Sequence, residues 1–127
     1  MKVSRPVFDA SAVLALIQVE TGCEDLEPLQ PDAVVSAVNV SEVLAKLVNR
    51  GMTPREAQTS FDALHLKVLP FEPSMAFQSA QFVRKGISLG DRCFLASCVH
   101  GSGWTSDRAL AAVALLDEGN GPLNFFR

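Results

Sequence analysis

Asp9, Glu42, Asp91 and Asp107 are the residues of this chain whose types and spacing could do chemistry together. Asp9 ends the apolar segment Pro6-Val7-Phe8, and Glu42 falls in the first turn of a predicted helix. Asp91 follows Gly90 ahead of another helix, and Asp107 follows Trp104-Thr105-Ser106. Each stands where a strand or loop hands over to a helix, and in an open α/β sheet ligands collect at the carboxyl ends of the strands. The placement predicts one shared carboxylate site. Two carboxylates about 5 Å apart repel by roughly 3 kcal/mol at an effective dielectric of about 20, so a gathering of four calls for a cation. Oxygen-only donors suit Mg²⁺ or Mn²⁺ rather than zinc, and such ions activate water and stabilise phosphate charge in phosphodiester hydrolysis.

Each acid also has a plainer explanation, because Asp and Glu at helix N-termini accept backbone N–H bonds and complement the helix dipole. At about 100° per residue Glu42 points away from the stripe of Val43, Leu44 and Leu47, as a capping-box glutamate on a solvated face would. Asp91 falls on the side of Phe94, Leu95 and Cys98, where an unpaired carboxylate is expensive. Asp9, at the exit of the expected central strand, is similarly constrained. Asp107 is placed to cap the helix after it, with the Thr105 hydroxyl beside it.

The elements that must position these acids alternate along the chain. Val3 to Phe8 reads as the first strand, and Ser11 as the N-cap of an almost wholly apolar helix over 12–19. A short surface helix is expected within the acidic stretch 20–27, stopped near Pro28 and Pro31, before a second strand over 33–36. Asn39 is placed to cap the next helix with Glu42 at N3, and Gly51 ends it. Thr53-Pro54-Arg55-Glu56 opens another helix with a cap, proline at N1 and acid at N3. A third strand is expected over 66–71, then helices over 74–85 and 91–100 ended by Gly86 and Gly101. Trp104-Thr105 reads as a short strand, 108–116 as a helix, 118–122 as a turn and 123–126 as a last strand. Strands alternating with helices imply a three-layer α/β/α domain with a central, mostly parallel sheet of about four to five strands.

Composition agrees with one domain over 1–127. The 127 residues are 48% hydrophobic, which excludes a disordered chain. The longest apolar run, Ala109 to Leu116, is far short of the roughly 18 residues of a membrane span. With no apolar signal core after Met1-Lys2-Val3-Ser4-Arg5, the cytoplasm is the expected location. Cys23, Cys93 and Cys98 are an odd number without CxxC spacing and read as reduced core thiols. Net charge is −3, and the basic residues concentrate in the later part of the chain. There Arg84, Lys85, Arg92 and Arg108 flank two of the acids and are the candidates to hold the phosphates of a polyanion.

Spacing excludes other phosphate chemistries. Gly86 to Gly90 lacks the GK[ST] ending of a Walker A loop. A receiver domain needs an acidic pair at the first strand and a late lysine, whereas Lys85 is the last lysine. Aspartyl phosphatases show D-x-D, and here Ser11 takes the third position.

Four blocks carry a resemblance: Val7-Phe8-Asp9-Ala10-Ser11-Ala12, Ser36-Ala37-Val38-Asn39-Val40-Ser41-Glu42-Val43, Leu89-Gly90-Asp91-Arg92-Cys93-Phe94-Leu95-Ala96 and Thr105-Ser106-Asp107-Arg108. In order and spacing the chain resembles the PIN-domain family, specifically the small VapC-like toxins of type II toxin-antitoxin systems. The resemblance implies that Asp9, Glu42, Asp91 and Asp107 are the catalytic, metal-holding acids, supported by Ser11 and Thr105. It implies a Mg²⁺- or Mn²⁺-dependent endoribonuclease acting on RNA, a homodimer, and inhibition by a cognate antitoxin lying in a groove over the acidic site. Relatives often carry an aromatic residue at the position of Leu110 and a more β-branched strand where 100–104 is glycine-rich. The rival expectations are a catalytically silent PIN-fold module that binds RNA or protein, and a metal-dependent DNase.

Overall fold

Val7 and Phe8 set the architecture, because neighbouring residues of a strand face opposite sides of a sheet and both are buried here, at 2% and 0% exposure. They belong to strand β1 (Arg5–Phe8) of a computed structural model that describes residues 5–116 and 122–127. The adjacent strand β2 (Val34–Ser36) repeats the arrangement with Val34 and Val35. Val7 and Val34 join one core, Phe8 and Val35 the other. A sheet apolar on both faces requires helices on both, which is the three-layer α/β/α arrangement expected from the sequence.

The remaining strands are β3 (Lys67–Leu69), β4 (Gly101–Thr105) and β5 (Leu123–Phe125). All pairings are parallel, in the order β3-β2-β1-β4-β5. The chain therefore grows outward from β1 to β2 and β3, then returns to the other side of β1. The order reverses between β1 and β4, where Phe8 pairs with Trp104.

On the Phe8 side pack α1 (Ala10–Gln18), α3 (Ala37–Asn49) and α4 (Pro54–Asp62), with Val13, Val43, Leu47 and Phe61 buried; α2 (Cys23–Leu26) adds Leu26. On the Val7 side pack α5 (Pro73–Ala80), α6 (Leu89–Ser97) and α7 (Leu110–Leu116), with Met75, Phe94, Leu95, Leu110 and Val113 buried. The cysteines are free and buried, as expected. Phe61, Phe82 and Phe126 are buried as well, whereas Phe77 is 74% exposed. No helix among the described residues is long and apolar enough to cross a membrane.

Several boundaries differ from the sequence expectation. The α2 helix is a single turn, followed by a 3-10 helix (Glu27–Asp32) that carries Pro28 and Pro31. The α5 helix ends at Ala80 rather than near residue 85. Beyond it Gln81, Phe82 and Val83 donate to the carbonyls three residues back, a tightened turn that brings Phe82 into the core. Residues 118–121 of the turn expected over 118–122, like the start of the first strand at Val3, lie outside the described residues.

The largest gain over the sequence reading is β4, which extends over five residues instead of Trp104-Thr105 alone. Gly101 and Gly103 give no strand signal, yet space demands them. A Cβ at Gly103 would lie 2.6 Å from Cys98 Sγ, 2.7 Å from Leu123 Cδ2 and 2.9 Å from Phe94 Cζ. Gly103→Ala should thus lower unfolding free energy by about 1–3 kcal/mol through overpacking, read as a lower denaturant midpoint. An unchanged midpoint would show that α6 and β5 yield without cost.

Candidate functional site

Asp9 leaves β1 at the reversal of strand order, the place where open parallel sheets form a ligand crevice. It is the N-cap of α1: Oδ1 accepts from Ala12 N at 3.0 Å and from Ser11 Oγ at 2.6 Å. Ser11, expected as the cap, instead sits inside α1 and supports the capping carboxylate. A carboxylate at that position reaches the free N–H groups and also complements the helix dipole.

The other oxygen, Oδ2, accepts from Thr105 Oγ1 at 2.5 Å, across the β1-β4 pair. Thr105 is fully buried and Asp9 is 8% exposed. Thr105 Oγ1 also accepts from Asp107 N at 3.0 Å, and Ser11 Oγ accepts from Ser106 N at 3.0 Å. The two supporting hydroxyls therefore bind the loop after β4 to the start of α1. Burial holds the Asp9 carboxyl above the ordinary aspartate range; the Ser11, Thr105 and Ala12 bonds oppose that shift, and the charge of Asp91 adds to it.

Asp91 occupies N3 of α6, half-buried, in a capping box with Ser88. Its Oδ2 accepts from Ser88 N at 3.1 Å, and Asp91 N donates to Ser88 Oγ at 3.1 Å. The helical wheel places Asp91 on the inward side, yet its carboxylate turns back to the Ser88 cap, and its charge still bears on Asp9.

Glu42 does not serve as a capping-box glutamate. Ser36 caps α3, accepting from Asn39 N at 3.1 Å, so Asn39 moves inside the helix and Glu42 one turn further along. Glu42 is half-buried and accepts from Asn39 Nδ2 at 2.8 Å. Its carboxylate lies against Gly90, where an added Cβ would stand 2.2–2.4 Å from the carboxylate atoms. Glu42 is thereby placed beside the residue that precedes Asp91.

Asp107 stands in the loop after β4, its amide bonded to Thr105. It is exposed, and its Oδ1 accepts from Ala109 N at 3.0 Å, in the turn ahead of α7 rather than at the helix start expected at residue 108. Among the described residues, no three of His, Cys, Asp and Glu gather into a closed metal-binding group. The donors nonetheless have the chemistry of a hard-cation site: all are carboxylate oxygens. Among the described residues no hydrogen bond reaches Glu42 Oε2, Asp91 Oδ1 or Asp107 Oδ2.

The basic candidates are dispersed. Arg92 is half-buried next to Asp91, Lys85 is exposed, Arg84 Nη1 donates to Val83 O at 2.8 Å, and Arg108 stacks over Phe125 at 5.1 Å from the ring centroid. An apolar groove of about 450 Å³ beside Glu42 is lined by Ala37, Val38, Ser41, Ala45 and Phe71. A separate cavity of about 720 Å³ opens at the opposite, amino-terminal ends of the strands, near Arg5, Val34, Lys67 and Ser102.

Sequence reasoning missed Asn39 and Gly90 as parts of this site. The available signal was spacing: Ser36-x-x-Asn39 offers the serine as cap, and Asn39 and Glu42, three apart, share a helix face.

Comparison with known proteins agrees with this fold. Among solved structures, DNA-bound VapBC from Salmonella typhimurium contains a chain that superposes with a TM-score of 0.72 at 12% identity, covering 98% of this chain and 100% of that one. VapBC2 from Rickettsia felis, bound to a promoter DNA fragment, gives 0.68 at 12% identity, covering 94% and 97%. A toxin-antitoxin complex from Klebsiella pneumoniae gives 0.66 at 18% identity, covering 84% and 90%. At these identities the likeness is one of fold. No curated protein sequence matches. The PIN domain family model matches residues 7–116, the span from the strand that presents Asp9 to the end of α7, and the chain belongs to the PIN domain family.

Proposed function

We propose that this chain is the toxin of a type II toxin-antitoxin system, a Mg²⁺- or Mn²⁺-dependent endoribonuclease that works in the cytoplasm as a homodimer and is silenced by a cognate antitoxin. The observation that carries the reading is Asp9, a carboxylate buried at the reversal point of a PIN fold with the charge of Asp91 directed at it. An arrangement that disfavours ionisation of its central acid is one that a divalent cation would relieve. The toxin-antitoxin complexes among the solved neighbours supply the partner class.

In this reading Asp9, Glu42, Asp91 and Asp107 hold the cation. Once bound, it would supply charge stabilisation at the scissile phosphate and ease deprotonation of the attacking water. The chain's own residues do the positioning. Ser11 and Thr105 fix both oxygens of Asp9, and the Ser88 amide fixes one oxygen of Asp91, leaving the other to orient water. Arg92 and Arg108, with Arg84 and Lys85 farther out, are assigned to the phosphates of single-stranded RNA. The apolar groove beside Glu42 is assigned to the antitoxin segment that covers the site.

A second reading, a silent PIN-fold module that binds RNA or protein, is favoured by one observation: the outward Asp107 and the open grouping of the acids. Cleavage separates the two. Total RNA incubated with the purified chain and Mg²⁺ or Mn²⁺ should give discrete fragments that EDTA, Asp9→Asn or Asp91→Asn eliminates, while DNA stays intact. RNA left intact by folded, antitoxin-free protein would establish the binding module, and cut DNA would establish a DNase.

The raised pKa of Asp9 gives a test that requires no substrate. A carboxyl whose folded pKa exceeds its unfolded value of about 3.9 stabilises the fold below that pH, and loses this contribution as pH rises through the folded value. In the absence of metal, the stability of the wild type relative to Asp9→Asn should therefore fall over that interval. At neutral pH, Mn²⁺ at 100 times its dissociation constant should return about 2.7 kcal/mol to the wild type and much less to Asp9→Asn. Paired pH-dependent denaturation curves measure both, and a wild type that gains on the variant as pH rises would contradict the burial argument.

A further inference from the structure

We infer that Asn39 is the positioning residue that holds the Glu42 carboxylate at the acidic site, a role that rests on reading that site as a metal centre. Asn39 is 2% exposed and all three polar positions of its amide are engaged. Its Oδ1 accepts from Ser36 Oγ at 2.7 Å, while Nδ2 donates to Glu42 Oε1 at 2.8 Å and to Gly90 O at 3.1 Å. A carboxylate and a carbonyl only accept, so the nitrogen side of the amide must face them and the oxygen must face the serine. The Ser36 hydroxyl, itself receiving Asn39 N, locks that orientation.

The amide bridges two helices far apart in sequence. Glu42 lies on α3 with Asn39, whereas Gly90 lies in the first turn of α6, immediately before Asp91. Gly90 completes the seat from below, since any side chain there would occupy the space of the Glu42 carboxylate. Both oxygens of Glu42 thus lie against α6, with Oε1 fixed by the amide and Oε2 left for a ligand. Asp cannot replace Asn39 here, because a carboxylate donates to neither Glu42 nor Gly90.

Polar groups behind a metal ligand typically govern about 10–100-fold of affinity. Titrating the metal-free full-length chain with Mn²⁺ by calorimetry should show Asn39→Ala binding about 10–100-fold more weakly than the wild type. In a Glu42→Gln background the same substitution should change affinity little, because the residue through which it acts is already neutralised. A helix clamp without a role at the site would lower thermal stability but leave Mn²⁺ affinity unchanged, or weaken it equally in both backgrounds, and either result would overturn the inference. Should Asn39→Ala not fold, Gly90→Ala tests the same seat: it keeps the Asn39–Ser36 bond, displaces the Glu42 carboxylate, and should weaken Mn²⁺ binding to a similar degree. Unweakened binding by folded Gly90→Ala would also overturn it. A wild type that binds no Mn²⁺ removes the metal-centre reading itself, an outcome distinct from normal wild-type binding with uncoupled variants.

Discussion

Thr105 donates to Asp9 at 2.5 Å across the two strands between which the sheet reverses its order, and the arrangement around it follows from the cost of that buried carboxylate. A desolvated carboxylate is tolerated only when its lone pairs are met, and Asp9 sits where three kinds of donor converge: the first turn of α1, the Ser11 hydroxyl and the Thr105 hydroxyl. The same two hydroxyls accept from the backbone of Ser106 and Asp107. The loop after β4 is therefore organised by the groups that satisfy Asp9. Remove the carboxylate and the first turn of α1 loses its cap, while the link from β4 to α1 loses its central acceptor.

The two cores on either side of the sheet explain why this acid is held away from solvent. Phe8, fully buried, belongs to the core that packs on α1 and α3, and Val7 to the one on α5, α6 and α7. Asp9 is the next residue, so it leaves the sheet between two apolar layers. Its neighbour in charge, Asp91, arrives on α6, whose Phe94 and Leu95 anchor the second core. Packing on opposite faces of one strand thus delivers two carboxylates to one end of the sheet.

Much of this was legible in the sequence. Apolar runs bounded by turn residues located all five strands, and the alternation with helices implied a parallel sheet covered on both sides. What failed was decided by three-dimensional space or by competition among local hydrogen bonds. Gly101 and Gly103 look like loop residues, but Arg5 and Val7 of β1 crowd the first, and Cys98, Leu123 and Phe94 crowd the second, so glycine is the residue that fits. Ser11 and Asn39 both had the chemistry of an N-cap, yet Asp9 and Ser36 took the caps, two and three residues earlier in the chain. That shift changed the meaning of Glu42: as N3 it would have turned back to its own helix end, whereas one turn further along it reaches Gly90.

Bonding to the protein still leaves three of these acids a free-facing oxygen, for a stereochemical reason. A carboxylate has two oxygens, and a helix cap or a single amide occupies one of them. Asp91 gives Oδ2 to the Ser88 amide, Asp107 gives Oδ1 to Ala109 N, and Glu42 gives Oε1 to Asn39. The bond on one side fixes the direction of the oxygen on the other. Asp9 alone spends both oxygens on the protein, and it alone is buried. The fold thus gives acids of the same chemistry unequal settings: Asp9 is buried with both oxygens bonded, Glu42 and Asp91 are half-buried and held by one oxygen each, and Asp107 is exposed.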